Sequence, residues 1–389
     1  MAEPDSLRVA LLAGTLGRGG AEKQLAYAAC ALRDAGVRLE VYALQEGEFY
    51  GAVLRDAGLA PVCVGRAANP ALRLLTFARA LRRFRPHVVQ AAQFYVNLYV
   101  ALASRACGAL AIGALRSDVV LDLQATGRWG RLLLRAPSAL VANSQAARAT
   151  AARLGVRATK IHVVPNVIET SAFDRAWRSR PAARRGPHAV AILVATLVPE
   201  KRVDRFLEGL ALARRSAPGL QGVVAGAGPE RASLEAHAGW LGLLPGGVEF
   251  RGACDDIPRL LAEADILVLT SDHEGLPNVI LEAMAARLPV VTTPAGDAAV
   301  VIEDGVSGYV VPFEPVADLA NRLSTLARSP ALRRQLGEAG YARVTERYAC
   351  AGLADRLLAV YRAVARESGH RQVLDRLPSL AAATSSFPS

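Results

Sequence analysis

Lysine is almost missing from this chain. Its cationic side chains are arginine except at Lys23, Lys160 and Lys201, so each lysine stands out as a compact point charge. Aromatic residues make up only 5%, which leaves the core to Ala, Val, Leu and Ile and provides no basic surface interleaved with aromatics for nucleic-acid binding. The cysteines, Cys30, Cys63, Cys107, Cys254 and Cys350, are odd in number with no CxxC pair, which argues against a disulfide framework or zinc site and for a reducing compartment. No run approaches the roughly 20 apolar residues that span a bilayer. The opening MAEPDSLRVALLAG has no basic region before a long apolar run, so it reads as a first strand and not as a signal peptide. A cytoplasmic protein is expected. Acids are also scarce in one region: between Ala57 and Ile168 fifteen Arg or Lys residues face only Asp118 and Asp122, a local charge of +13. Such a field favours an anionic partner (nucleic acid, acidic lipid headgroups or a phosphorylated acceptor) or serves as a solubilising arginine surface.

What is present is a repeated alternation of short apolar runs and helical patterns. Strands are expected at Leu7–Ala13, Leu39–Leu44, Pro61–Val64, His87–Gln90, Ala111–Leu115, Ala139–Ala142 and Ile161–Val164. The order breaks at Trp177–Pro187, a stretch rich in proline and arginine that reads as a linker. A second series follows at Ala189–Ala195, Gln221–Ala225, Val248–Phe250, Ile266–Leu269 and Val290–Thr292, then long helical patterns at Ala331–Tyr348 and Ala351–Glu367. The expected division is an N-terminal domain at 1–176, a second domain at 188–350, a closing helix at 351–367 and a disordered tail at 376–389. Repeated β-then-α order implies parallel sheets covered on both faces, with ligands beyond the strand C-termini, in a cleft between two facing Rossmann-like domains.

Four loops carry candidate chemistry. Gly14–Glu22 joins the first strand to the first helix, and its glycines would let backbone approach a phosphate at a helix start, although it is neither a strict GxGxxG nor a P-loop. Lys201 lies at an expected helix start, where a cation makes sense if an anion binds beside it, with Arg202 as helper. Gly226-Ala227-Gly228-Pro229 reads as a plain strand-to-helix turn that could border a nucleotide. The run Ser271–Met284 is the most informative. Pro277 suits a first helical position, the peptides of Gly275–Asn278 would face a ligand, and Glu274 and Glu282 can accept paired hydrogen bonds from vicinal hydroxyls. Consecutive Asp272, His273 and Glu274 do not make a metal site, and none is expected.

These segments, with LGRGGAEKQLA, NSQAARATAARLGV, IHVVPNVIE, VATLVPEKRVDRFLEGLA, VAGAGPERASLE and EGLPNVILEAMA, resemble the group 1 glycosyltransferases from about Val9 to Val364. The resemblance implies the α/β GT-B fold, a retaining transfer from a UDP- or GDP-linked sugar, an E-x7-E pattern and no bound metal or cofactor. It implies that Lys201 meets the diphosphate, Glu282 the ribose hydroxyls and Glu274 the transferred sugar. Gly275, Leu276, Pro277 and Asn278 would wrap sugar and phosphates, and Gly19 and Gly20 would close on the donor. The last helix is expected to return to the N-domain.

Three positions depart from the pattern. Thr196 stands where members carry Arg, Ser or Asn, which leaves Arg202 or Arg205 as substitute cations against the diphosphate. Arg116 stands where many place a histidine, so it could stabilise the leaving diphosphate or hold an acidic acceptor. Gln90-Ala91-Ala92-Gln93 replaces an HxH-like run. The expected partners are a nucleotide sugar, a glycan or lipid-linked acceptor and an anionic membrane surface at the inner face of the plasma membrane, with no nucleic acid. The membrane expectation rests on Trp129–Arg135, an aromatic, three leucines and two arginines, which could instead be a short core helix. The other readings weighed are an epimerase of the same fold and an inactive nucleotide-sugar-binding protein.

Overall fold

The computed structural model describes residues 6–378, apart from 46, 48 and 181–188. It divides into two compact units, Met1–Val167 with Cys350–Ser389, and Ile168–Ala349. The first division thus falls at Val167, not after residue 176. The amphipathic helix Ser171–Arg178 belongs to the second unit because Phe173 is buried in that unit's core and Asp174 pairs with Arg287 at 2.8 Å. Most of the expected linker, and the expected tail beyond Pro378, lie outside the described residues.

The first unit holds a parallel sheet in the order β3-β2-β1-β4-β5-β6-β7. Its strands are β1 (Arg8–Ala13), β2 (Arg38–Ala43), β3 (Val62–Cys63), β4 (Val88–Ala91), β5 (Leu110–Leu115), β6 (Ala139–Ala142) and β7 (Ile161–Val163). The second unit's parallel sheet runs β10-β9-β8-β11-β12-β13. It is built from β8 (Val190–Val194), β9 (Gln221–Ala225), β10 (Val248–Gly252), β11 (Ile266–Leu269), β12 (Val290–Thr292) and β13 (Gly308–Val310). The short edge strand β13 escapes the periodicity reading because three residues opening on glycine carry too little pattern.

Side-chain alternation explains why both faces are covered. Along β1, Val9, Leu11 and Ala13 enter one apolar cluster while Ala10 and Leu12 enter another. The first cluster takes in Leu25, Ala29 and Leu32 of helix Gly20–Asp34 and Leu357, Tyr361 and Val364 of helix Leu353–Ser368. The late helix therefore packs in the first unit, because its apolar stripe completes that core. The second cluster includes Phe77 and Leu81 of helix Pro70–Phe84, which is started by Asn69 accepting from the Ala71 N–H at 2.8 Å. Helix Gly130–Arg135 splits the expected Leu132–Leu134 run: Leu133 and Leu134 are core residues, and Leu132 is exposed.

Polar side chains close gaps where strands end. The fully buried Asn97 accepts from the Ala114 N–H at 2.8 Å and donates to the Ala114 carbonyl at 3.2 Å. It thereby extends the ladder of β5 past the last residue of β4 that pairs with it, Gln90. At the opposite strand end, buried His87 accepts the Arg8 N–H on Nδ1 at 3.1 Å, and burial depresses its pKa from 6.5 to about 4. Folding therefore favours neutral His87. Its contribution is full above pH 6.5, declines as the unfolded chain takes up a proton the folded chain refuses, and levels off below about 4. Denaturant titrations should register a loss of about 3 kcal/mol across that window, and His87→Gln should flatten it.

Candidate functional site

In each sheet the strand order reverses once, between β1 and β4 in the first unit and between β8 and β11 in the second. Loops leaving two such neighbours diverge to opposite faces and open a crevice at the strand C-termini. In the second unit those two loops supply the residues singled out in the sequence.

Lys201 leaves β8 and Glu274 leaves β11, and Lys201 Nζ meets Glu274 Oε1 at 2.6 Å. The same oxygen accepts the Ser271 hydroxyl at 2.8 Å. Lys201 ends a short 3-10 turn, Pro199–Lys201, and the α-helix begins only at Val203, so Lys201 lies just before the helix and not at its start. Between them Arg202 has φ 47°, a left-handed conformation that costs an L-residue roughly 1–2 kcal/mol. Its carbonyl accepts the Thr270 hydroxyl at 2.8 Å, which ties the two loops together.

The two substitute cations are committed elsewhere. Arg202 bonds Asp204 and, at 3.1 Å, Asp272. Arg205 is buried and donates to the Thr270 carbonyl at 2.6 Å and to Asp272 at 2.9 Å. Burial opposes ionisation of Asp272, but the bonds from Arg205 and Arg202 hold its pKa below the usual carboxylate value. Asp272 and Glu274 thus turn to different cations although they are two residues apart. Thr196 is exposed in the same β8 loop.

Beyond Glu274, Gly275, Leu276 and Pro277 are buried, and Pro277 caps the helix Asn278–Ala285 instead of opening it. Glu282 lies inside that helix at 8% exposure, so its carboxylate is not a solvated surface charge. A loop the sequence reading passed over braces this segment. Thr293, after β12, donates its hydroxyl to the Ser271 carbonyl at 2.6 Å, and the Asp297 N–H reaches the Gly275 carbonyl at 2.8 Å. A Cβ on Gly296 would collide with the Gly275 oxygen, so only glycine fits. The Thr-Pro-Ala-Gly turn after an apolar strand was the available signal. Gly226 and Gly228 have a packing reason as well: a Cβ on them would collide with the carbonyl oxygens of Ala195 and Leu197 respectively.

The first unit carries a buried polar band at its own reversal. Gln93, after β4, accepts the Gly14 N–H at 2.8 Å and donates to Glu22 at 3.0 Å. Glu22 folds back over Gly19, where a Cβ would collide with its carboxylate, so this acid already supplies negative charge at the helix start. Burial pushes the Glu22 pKa up. Gly19 and Gly20 are thus next to a carboxylate of their own chain. Gln90 accepts the Tyr361 hydroxyl at 2.5 Å. Arg116, after β5, donates to Asn166 at 3.3 Å, and burial lowers its pKa to about 10, still a cation at neutral pH. Gln24, which bonds the Val167 carbonyl and N–H at 2.8 and 2.9 Å, Asn143, which donates to the Arg116 carbonyl at 3.0 Å, and Tyr361 join this band with nothing local in the sequence to mark them.

Arg205→Met should expose the difference between a structural and a ligand-facing cation. It removes the donor to the Thr270 carbonyl and half of the Asp272 pairing, at a cost of about 3 kcal/mol in urea unfolding of the full chain. A cation reserved for ligand would leave stability unchanged.

Comparison with known proteins gives the arrangement a lineage. The family model described as glycosyl transferases group 1 matches residues 177–343, and the one described as glycosyltransferase family 4 matches residues 18–172. The chain is 31% identical over 177 residues to an alpha-D-kanosaminyltransferase from Streptomyces kanamyceticus, covering 45% of this chain and 46% of that protein. It is 30% identical over 202 residues to a GDP-mannose-dependent alpha-(1-6)-phosphatidylinositol monomannoside mannosyltransferase from Mycolicibacterium smegmatis, covering 49% and 53%. The matched stretch therefore spans about half the length of these curated relatives. Among solved structures, Anabaena HepE in complex with UDP-glucose superposes with a TM-score of 0.80 at 21% identity, over 92% of this chain and 100% of that one. Sucrose-phosphate synthase from Thermosynechococcus elongatus gives 0.76 at 17% identity, over 93% and 100%. The fold is α/β of the GT-B type, with a Rossmann-like parallel sheet in each unit. With the two family models together taking in most of residues 18–343, the chain belongs to the group 1 glycosyltransferase family.

Proposed function

We propose that this chain transfers a hexosyl group from a nucleotide-diphosphate sugar to a glycan or lipid-linked acceptor, with retention of anomeric configuration. The observation that carries the reading is the Lys201–Glu274 pair, 2.6 Å apart on the two loops that flank the strand reversal of the second unit. The reading is supported by family membership, by relatives named as sugar transferases and by a structural neighbour holding UDP-glucose.

In this reading the donor lies on the second unit. An ammonium has three donors, so Lys201 keeps Glu274 with one and turns the others to diphosphate oxygens. Glu274 keeps acceptor capacity for a hydroxyl of the transferred sugar, and Ser271 holds its orientation. Glu282 accepts from the ribose hydroxyls, and Gly275–Asn278 line the sugar and phosphates. The bond from the anomeric carbon to the phosphate oxygen breaks, and the acceptor oxygen forms the new bond on the same face. The acceptor proton passes to the leaving phosphate. No resident metal or cofactor enters this scheme. The UDP or GDP base and the sugar are for a donor screen to assign.

The acceptor belongs to the first unit, where Arg116 supplies a half-buried cation suited to an acidic acceptor or to developing charge on the leaving group. The relative named as a phosphatidylinositol monomannoside mannosyltransferase supports a lipid-linked acceptor.

Glu282→Ala should weaken nucleotide binding by about 1.5–3 kcal/mol for each hydrogen bond lost to the carboxylate, measured by calorimetry with UDP and GDP sugars. Wild-type affinity in that variant would remove Glu282 from the site. Stereochemistry is the second check: NMR of the new linkage should give the donor's anomeric configuration, and an inverted product would overturn the scheme. Free sugar interconversion without transfer would select the epimerase reading.

A further inference from the structure

We propose that Glu22 and Tyr95 form a subsite on the first unit for an uncharged pyranose of the acceptor, with the sugar's apolar face on the Tyr95 ring and a pair of neighbouring hydroxyls on the Glu22 carboxylate. The subsite presupposes the transferase reading and names the kind of acceptor residue that reading leaves open.

The two residues come from the loops that part at the strand reversal of this sheet. Glu22 lies in the first turn of helix Gly20–Asp34, which follows β1, and Tyr95 lies in the 3-10 turn Phe94–Val96, which follows β4. Both therefore stand at the strand C-terminal end, where this fold class holds its ligands. Tyr95 is 47% exposed, although its neighbours Phe94 and Val96 are buried at 3% and 0%. Those neighbours anchor the turn, so the ring is presented as a fixed platform and little freedom is lost when a ligand settles on it. Its hydroxyl end rests on Gly14, where a Cβ would collide with the phenol, so this close approach requires glycine.

Glu22 is the polar half. It is buried, and its carboxylate is bonded by the Gln93 amide at 3.0 Å and by its own N–H. Among the described residues no Lys or Arg is ion-paired with it, in contrast to Glu274 and Asp272 of the second unit. A buried carboxylate without a counter-ion is costly, and here the cost retains acceptor capacity. A carboxylate has about four lone-pair sites, so roughly two remain for donors that the chain does not supply. Burial, and after it the charge of Glu22, push the Tyr95 phenol pKa up, which puts the Tyr95 hydroxyl within the field of that carboxylate. Neighbouring hydroxyls of a pyranose donate as a pair to one carboxylate, and the C–H face of the ring is the apolar surface that an aromatic side chain covers. A uronic acid brought here would meet the Glu22 charge, and an open-chain polyol has no flat face for Tyr95. Gln93 is a positioning residue: its carbonyl oxygen takes the Gly14 N–H at 2.8 Å, which fixes its amide nitrogen toward Glu22.

The experiment uses the full chain with UDP or GDP present and saturation-transfer NMR. The probes are the methyl pyranosides of glucose, mannose, galactose and N-acetylglucosamine, against methyl glucuronide and glycerol. The wild type should saturate at least one neutral pyranoside, most strongly at its ring C–H protons, in preference to glucuronide and glycerol. Glu22→Gln keeps the shape and the bond from Gln93 but removes the charge, so it should lower glycoside affinity about tenfold or more. Its melting temperature should hold or rise, because a buried unpaired charge is gone. Tyr95→Ala should lower affinity by a similar factor, and Tyr95→Phe should keep most of it, because the ring carries the stacking. Tyr95→Ala, at an exposed position, decides the matter should Glu22→Gln lose its fold. A lower melting temperature in Glu22→Gln with glycoside binding unchanged would make Glu22 a purely structural acid and overturn the proposal. So would the absence of binding to every neutral pyranoside, or a preference for glucuronide. The thermal shift given by nucleotide sugars separates this subsite from the reading it presupposes. Glycoside binding that responds to both variants, without any nucleotide-sugar shift, would sink the transferase reading alone. A protein shifted by nucleotide sugars whose glycoside binding ignores both variants would sink the subsite alone.

Discussion

Both sites in this molecule depend on one constraint of a doubly wound parallel sheet: where strand order reverses, the next loops must part. The parting exposes backbone ends and leaves room that no strand can fill. In the second unit it sets the loops after β8 and β11 side by side, carrying Lys201 and Glu274. In the first it sets Gly14 beside Gln93. Residues far apart in sequence become a site because the sheet must be bridged there by side chains.

The electrostatics of the second unit follow from that crowding. A buried charge left unpaired is costly, so each cation near the reversal is given an acid. Lys201 takes Glu274, while Arg202 and Arg205 share Asp272. The division separates roles. Arg205 is buried against the Thr270 carbonyl and holds the loops in place. The Lys201 pair is held by a flexible side chain with donors to spare. The left-handed Arg202 is tolerated because Asp204, Asp272 and the Thr270 hydroxyl all hold it.

The first unit concentrates charge differently. Its inward cation, Arg116, is met by the neutral amide of Asn166, whereas the arginines between Ala57 and Ile168 have only two acids among them. Interior polar groups serve position and exterior ones serve field. The exposed leucines and Trp129 sit at the sheet end where helices begin, with Arg73 and Arg128 among them.

Sequence alone determined the strand succession as far as β12, the parallel class and the loops that carry Lys201 and Glu274, because apolar period and glycine or proline punctuation are local properties. Glu274, Glu282 and Lys201 stood out for the same reason: a carboxylate amid Leu281, Ala283 and Met284, or one of three lysines, is conspicuous in a linear reading. Only the tertiary structure decided how the charges pair. Arg202 and Arg205 look like spare cations in the sequence, and it is the fold of the β11 loop that gives them to Asp272. Tertiary structure also decided that Ser171–Arg178 joins the second unit, that Glu22 closes over Gly19, and that Thr293 and Gly296 brace the Glu274 loop. It split Leu132–Leu134 between core and surface as well. Each of these depends on which distant backbone lies within about 3 Å of a side chain, and a hydrogen bond across seventy residues leaves no trace in the spacing of either end.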